Sequence, residues 1–189
     1  MSSLAELLAG RDGVLARVSR EQLARCRELT VQINQLEREL RTLMRRLAPS
    51  LLALPGCGVL SAATLFAETA GARRFRSKDA YARFTGTAPI PVWSGNTAGK
   101  VRLNRGGNRT ANCALHMIAL TQTRGIGPGA GYVEKLLAAG KTRTEALRLL
   151  RRRVSDAVFA ALRADEPRAT AHPVYPATAR TRRDLPAAG

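Results

Sequence analysis

Between Cys26 and Leu47 the apolar residues fall at Cys26, Leu29, Ile33, Leu36, Leu40, Leu43 and Leu47, a 3-4 alternation held for about three heptads. This spacing puts all seven on one stripe of an α-helix, and neither Gly nor Pro interrupts the run. Charged residues flank the stripe, among them Arg25, Glu28, Glu37, Arg38, Arg41 and Arg45. Two arrangements satisfy the pattern: an amphipathic helix lying on its own domain, or a seam that pairs with a second helix. Residues 21–48 are read as a coiled-coil helix, with residues 26–47 joining protomers into a homo-oligomer. Residues 1–20, with Gly10 and Gly13 among scattered apolar positions, read as an irregular remnant.

Hydrophobic residues make up 45% of the 189 but aromatics only 4%. A core assembled from Leu, Ala and Val, with so few aromatic side chains, favours packed helices over a β-sandwich, so the expected fold class is mainly α. Lys and Arg total 31 against 14 Asp and Glu, a formal charge of +17. Such an excess calls for a polyanionic partner, nucleic acid first. Cys26, Cys57 and Cys113 form no CxxC pair, and His116 and His172 are the only histidines, which disfavours a structural zinc site. Sparse, odd-numbered thiols suit a reducing compartment. No window offers about 18 uninterrupted apolar residues, so the expected location is cytoplasmic, without a membrane partner.

Pro49 halts the first helix or starts another. Residues 51–65 then read as a short helix, a Pro55-Gly56-Cys57-Gly58 turn and a second helix. That is the pattern of a helix-hairpin-helix element, in which Gly56 and Gly58 let backbone N–H groups approach a phosphate with no Cβ in the way. An ordinary αα-turn explains the same glycines. Ser77 is placed to cap a helix through Tyr81 and Phe84 that ends near Gly86, and Asn108 to cap one with Ala111, Leu115, Ile118 and Ala119 on its apolar face.

Residues 87–108, between these helices, are rich in Gly and Pro, with a short extended piece expected at Val101-Arg102-Leu103. No Asp or Glu occurs between Asp79 and Glu134, so the cations of this loop have no acidic neighbour in sequence. Gly125 to Gly131 reads as a flexible hinge, and Tyr132 to Ala139 as a short helix closed by Gly140. The last helix opens with Thr142 and Glu145 at capping-box spacing. Arg148, Arg151 and Arg152 lie on its polar side, either as a solvated face or as a second phosphate-contacting surface. Residues 49–163 are taken as one domain and 164–189, dominated by Ala, Pro and Arg, as a disordered tail.

The scattered carboxylates offer no Mg²⁺ site and the glycines no P-loop, which argues against a resident cofactor in this chain. A serine nucleophile is compatible with the loop. Ser94 precedes Gly95, and Lys100, Arg102 and Arg105 follow, cations suited to the charge that develops on a phosphodiester under attack. A turn residue beside glycine explains Ser94 equally well. His116 reads as a packed core histidine, and Trp93 as a plug beneath the loop.

Taken in order, Leu54-Pro55-Gly56-Cys57-Gly58, Ala62-Ala63, Phe75 with Ser77, Tyr81 to Gly86 with Pro89, Ser94-Gly95, Gly99 to Arg102 and Arg105 to Asn108 resemble the C-terminal domain of insertion-sequence transposases of the 110/116/902 group. The resemblance covers roughly residues 51–162. It implies DNA transposition, or site-specific recombination, with Ser94 as the nucleophile attacking a DNA phosphodiester. It also implies that the neighbouring basic loop engages nucleic acid and that protomers pair through the seam; Lys100, Arg102, Arg105 and Asn108 thus join the hairpin's Gly56 and Gly58 as the expected nucleic-acid-binding residues. DNA is the implied partner, together with a structured guide RNA. Family members carry an N-terminal RNase H-like domain whose acidic residues bind Mg²⁺; residues of that kind are not found here, so the expectation is a truncated or split transposase. The rival is a non-catalytic, dimeric DNA-binding protein gripping phosphate at the hairpin, and a weaker third reading is a basic RNA-associated protein.

Overall fold

The computed structural model describes residues 6–8, 10–91, 101–104 and 106–171, the side chains of 101–103 and 168–171 excepted. The fold is mainly α, as expected. Helices α1 (Val14–Leu47), α2 (Pro49–Leu52), α3 (Val59–Thr69) and α4 (Lys78–Phe84) precede strands β1 (Pro89–Pro91) and β2 (Val101–Leu103). Helices α5 (Arg109–Thr123), α6 (Gly129–Ala138) and α7 (Arg143–Ala171) follow. The chain divides into two compact units, Met1–Thr42 and Leu43–Gly189.

In the first unit the helix begins at Val14, inside the stretch expected to be irregular. Arg20 helps explain the early start: its guanidinium donates to the carbonyls of Leu8 (2.9 Å) and Arg11 (2.8 Å), tying the preceding turn to the helix. Ion pairs at helical spacing, Arg17–Glu21, Arg25–Glu28 and Arg41–Glu37, line the surface. All are exposed and contribute little individually. Of the seam residues in this unit, Cys26, Leu29, Ile33 and Leu36 are exposed.

In the second unit α7 is the spine: α2, α4, α5, α6 and the 3₁₀ turn Ala72–Arg74 all pack against it. The core joins Leu51, Val59, Ala62 and Leu65 to Leu115, Ile118 and Ala119, and to Leu150, Val154 and Val158 of α7. Four aromatics, Phe75, Tyr81, Phe84 and Phe159, gather in one cluster. Tyr81 packs on Phe75 (centroids 5.3 Å apart) and stacks on Phe159 (5.2 Å), and Phe75 meets Phe84 at 5.0 Å. Such pairs contribute about 0.5–1.5 kcal/mol each beyond the area they bury. Burial pushes the Tyr81 hydroxyl up to about 12 and the Cys57 thiol up to about 12, so both stay protonated at neutral pH.

Local sequence signals account for three helix starts. Ser77 Oγ accepts from Ala80 N (3.2 Å), and Asn108 Oδ1 from Ala111 N (2.8 Å). Thr142 and Glu145 close a reciprocal capping box, Thr142 N donating to Glu145 Oε2 (2.9 Å) and Glu145 N to Thr142 Oγ1 (3.3 Å). These bonds favour the ionised carboxyl and hold Glu145 below the usual carboxylate range.

Two expectations need correction. The first concerns the tail: α7 runs to Ala171, past the expected disorder boundary at 164, because its next carboxylates cap other helices. Helix α2 starts with Pro49 and has no side-chain cap of its own; Asp165 accepts from Ser50 N and Leu51 N, both at 3.2 Å. Glu166 accepts from Arg73 N (3.0 Å), at the 3₁₀ turn, and both carboxylate residues are buried. The second concerns the glycine run 125–131. A Cβ on Gly127 would run into Pro55, and one on Gly129 would stand 2.5 Å from Gln122 Cβ, so these glycines permit close packing instead of forming a hinge. Gly129 already belongs to α6, which therefore starts three residues before the expected Tyr132.

Asp165→Ala leaves two amides of α2 without their acceptor. Thermal denaturation is expected to show a loss of about 2 kcal/mol, the upper range for a helix cap.

A clasped loop base and the cavity beside it

The last carbonyls of a helix have no partner further along it, and the five at the end of α4 are all satisfied. Tyr81 O accepts from Thr85 N (2.9 Å), and Ala82 O from Thr87 N (2.9 Å) and Ala88 N (3.0 Å). Arg83 O accepts from Gly86 N (3.2 Å) and from Asn104 Nδ2 (3.3 Å). Phe84 O accepts from Asn108 N at 2.6 Å, and Thr85 O from Asn112 Nδ2 at 2.6 Å. The C-terminus of α4 is thus bonded to the entry of α5 by asparagines spaced four apart.

That contact is possible only because two glycines face each other. Gly86 (φ +71°) and Gly107 (φ +101°) both adopt the left-handed region. A Cβ on Gly107 would lie 2.7 Å from Gly86 N and 2.8 Å from Phe84 O; one on Gly86 would lie 2.9 Å from Gly106 O. Above this clasp β1 and β2 pair antiparallel, with Pro89 opposite Leu103, Ile90 opposite Arg102 and Pro91 opposite Val101. Prolines lack a ladder donor and suit so short an edge pairing. The extended piece expected at 101–103 is therefore present, and the intervening segment is tied at both ends.

Ser94, Lys100 and Arg105 of the expected site lie outside the described residues, as does Trp93. Arg102 is placed by its backbone in β2, opposite Ile90. Asn108 has structural partners on both sides of its amide, since Oδ1 caps α5 and Nδ2 donates to Glu68 Oε2. Gly56 (φ +78°) faces the protein: a Cβ would stand 3.0 Å from Ile118 O and 3.2 Å from Thr121 Cβ, while Gln122 Nε2 donates to Pro55 O at 2.8 Å. Gly58 has open surroundings, is exposed, and opens α3 without a side-chain cap. Of the two hairpin glycines, then, one serves packing and the other leaves a helix N-terminus uncovered.

Beside the clasp is a cavity of about 420 Å³. Gly107, Arg109, Asn112, Cys113 and His116 reach it from the loop end and α5, Arg151 reaches it from α7, and no Asp or Glu is among its lining residues. His116 and Arg151 are both half-buried there. Sequence spacing alone does not join Arg151 to His116, since only the crossing of α5 and α7 does so; the four-residue spacing of Asn104, Asn108 and Asn112 is the one readable signal. Arg152, its neighbour, instead pairs with Asp79 (2.6 Å) and Asp156.

The carboxylates described in this unit do not fit an Mg²⁺ site. Asp165 and Glu166 cap helices, Glu145 closes its box, Glu68 holds Asn108, and Asp79 and Asp156 hold Arg152. Among the described residues no three His, Cys, Asp or Glu side chains are grouped to hold a metal ion. Among the same residues no helix is long and apolar enough to cross a membrane.

Residues 48–130, which include the hairpin, the clasp and the whole tied segment, match the domain described as Transposase IS116/IS110/IS902 family. The chain is 31% identical over 151 residues to the insertion element IS900 uncharacterized 42 kDa protein of Mycobacterium paratuberculosis, covering 79% of this chain and 37% of that protein. It is 33% identical over 135 residues to the insertion element IS110 uncharacterized 43.6 kDa protein of Streptomyces coelicolor, covering 70% of this chain and 33% of that one. The chain thus spans about a third of the length of each of these relatives. Through its hairpin, clasp and loop, residues 48–130, this chain is similar to the IS116/IS110/IS902 transposase family.

Proposed function

We propose that this chain is the DNA-contacting, strand-exchanging part of an insertion-sequence transposase, with Ser94 as the nucleophile. The observation that carries this reading is the stretch from β1 to the clasp: the family domain spans it, and it bears Ser94, Lys100, Arg102 and Arg105, with no carboxylate from residue 80 to 133. In the proposed step Ser94 Oγ attacks the phosphorus of a DNA phosphodiester, and a phosphoserine ester forms as the bond to one deoxyribose oxygen breaks. The serine proton ends on the departing hydroxyl. One phosphoester bond replaces another, so the step needs no nucleotide hydrolysis. Lys100, Arg102 and Arg105 offset the negative charge that builds on the phosphoryl oxygens.

DNA is held first by charge. A formal +17 releases counterions on binding and makes affinity steeply salt-dependent. The uncapped N-terminus of α3 at Gly58 adds backbone donors for a phosphate, the part of the helix-hairpin-helix reading that the local geometry supports. A structured guide RNA would meet the same cationic surface. The exposed stripe at Cys26, Leu29, Ile33 and Leu36 pairs with the same stripe of a second protomer in this reading.

Incubation with DNA carrying insertion-sequence ends is expected to yield a covalent protein–DNA adduct that survives SDS. Ser94→Ala is expected to abolish it while DNA affinity stays within about twofold, since the substitution removes no charge. Equal salt-sensitive binding by both proteins with no adduct from either would establish the non-catalytic DNA-binding reading instead. Sedimentation equilibrium is expected to give twice the 20.4 kDa chain mass, and the single mass for a chain with both Ile33→Glu and Leu36→Glu. A wild-type monomer at every concentration would refute the pairing.

A further inference from the structure

The cavity beside the glycine clasp contains an electrostatic problem with no solution among the described residues. Arg151 Nε is shielded from solvent and has no hydrogen-bond partner there, and the same is true of His116 Nδ1. Buried polar groups are nearly always paired, and buried guanidinium groups are usually matched by a carboxylate or another anion. Here no carboxylate lines the cavity, although Arg152 one residue away has two. Arg109 also reaches the cavity from the first turn of α5, where the helix dipole favours negative charge.

We propose that this cavity binds a phosphate group, with Arg151 and His116 as its two principal ligands and the α5 N-terminus at its edge. Its two principal ligands lie outside the 87–108 loop and the Gly58 hairpin, although Asn104, Gly106 and Gly107 of that loop also line the cavity, and the site deepens the proposed function by adding a phosphate anchor between α5 and α7. Burial and the neighbouring Arg148 both disfavour the charged guanidinium and hold Arg151 below its ordinary range, which is the cost an incoming anion relieves. Free phosphate and a nucleic-acid backbone phosphate present the same chemistry to these side chains.

The test uses the full chain and Arg151→Gln. In phosphate-free buffer the variant is expected to melt at or above the wild-type temperature, because the shielded, unpartnered Nε–H of a half-buried cation is gone. Inorganic phosphate is expected to raise the wild-type Tm and leave the variant unmoved. With a short DNA duplex the variant is expected to bind more weakly and to show a log affinity against log salt slope smaller by about one. A response to inorganic phosphate without the DNA effect identifies free phosphate as the ligand; the DNA effect identifies the backbone. A variant that keeps both responses overturns the proposal. The phosphate arm is independent of transposition, so a chain that forms no DNA adduct still shows whether the cavity takes an anion. His116→Gln, which keeps a polar side chain in the ring's place, is expected to weaken the same responses.

Discussion

The backbones of Gly86 and Gly107 meet with no room for a side chain between them, and the second unit depends on that contact for its site. It brings the end of α4 to the start of α5, and Asn108 and Asn112 then satisfy carbonyls that would otherwise be orphaned. Both ends of the segment carrying Ser94 are fixed at the same place. The cavity lined by His116 and Arg151 opens beside it, so one backbone contact sets the geometry of this cationic region.

The second unit also assigns its acids and bases unequally. Asp165 and Glu166 are buried as caps, Glu68 holds Asn108, and Asp79 and Asp156 neutralise Arg152. Carboxylates occupied in this way are held at fixed structural positions, and the chain as a whole carries a formal charge of +17. A protein built like this trades some self-repulsion for attraction to a polyanion. The reading of the chain as a DNA-contacting transposase part rests on this distribution together with the family domain.

Much of the fold was legible because its signals are local. Ser77, Asn108 and the Thr142–Glu145 pair cap the helices they were expected to cap, and the 3-4 alternation does run along one helix. What escaped were the long-range substitutes for local signals. Pro49 opens α2 with a cap supplied by Asp165, 115 positions beyond the Ser50 amide it holds, in a stretch that composition reads as the start of a disordered tail. Gly127 and Gly129 resemble hinge glycines in sequence, and only Pro55 and Gln122 pressed against them show why glycine is required. The same limit applies to the site. Gly56 and Gly58 look equivalent in the hairpin motif, yet one packs on α5 and one faces open space; Arg151 looks like part of a solvated stripe until α7 crosses α5.

The clasp is tested most directly by comparing the melting of Gly107→Ala with that of Gly106→Ala. Gly107 combines a left-handed backbone with two backbone atoms inside 3 Å of any Cβ, so alanine there is expected to cost about 3 kcal/mol and lower Tm by about 6–12 °C. Gly106 would meet only Asn104 Oδ1, at 3.4 Å, and its variant is expected to stay within about 0.5 kcal/mol of wild type. Equal melting temperatures for the two variants would contradict the account.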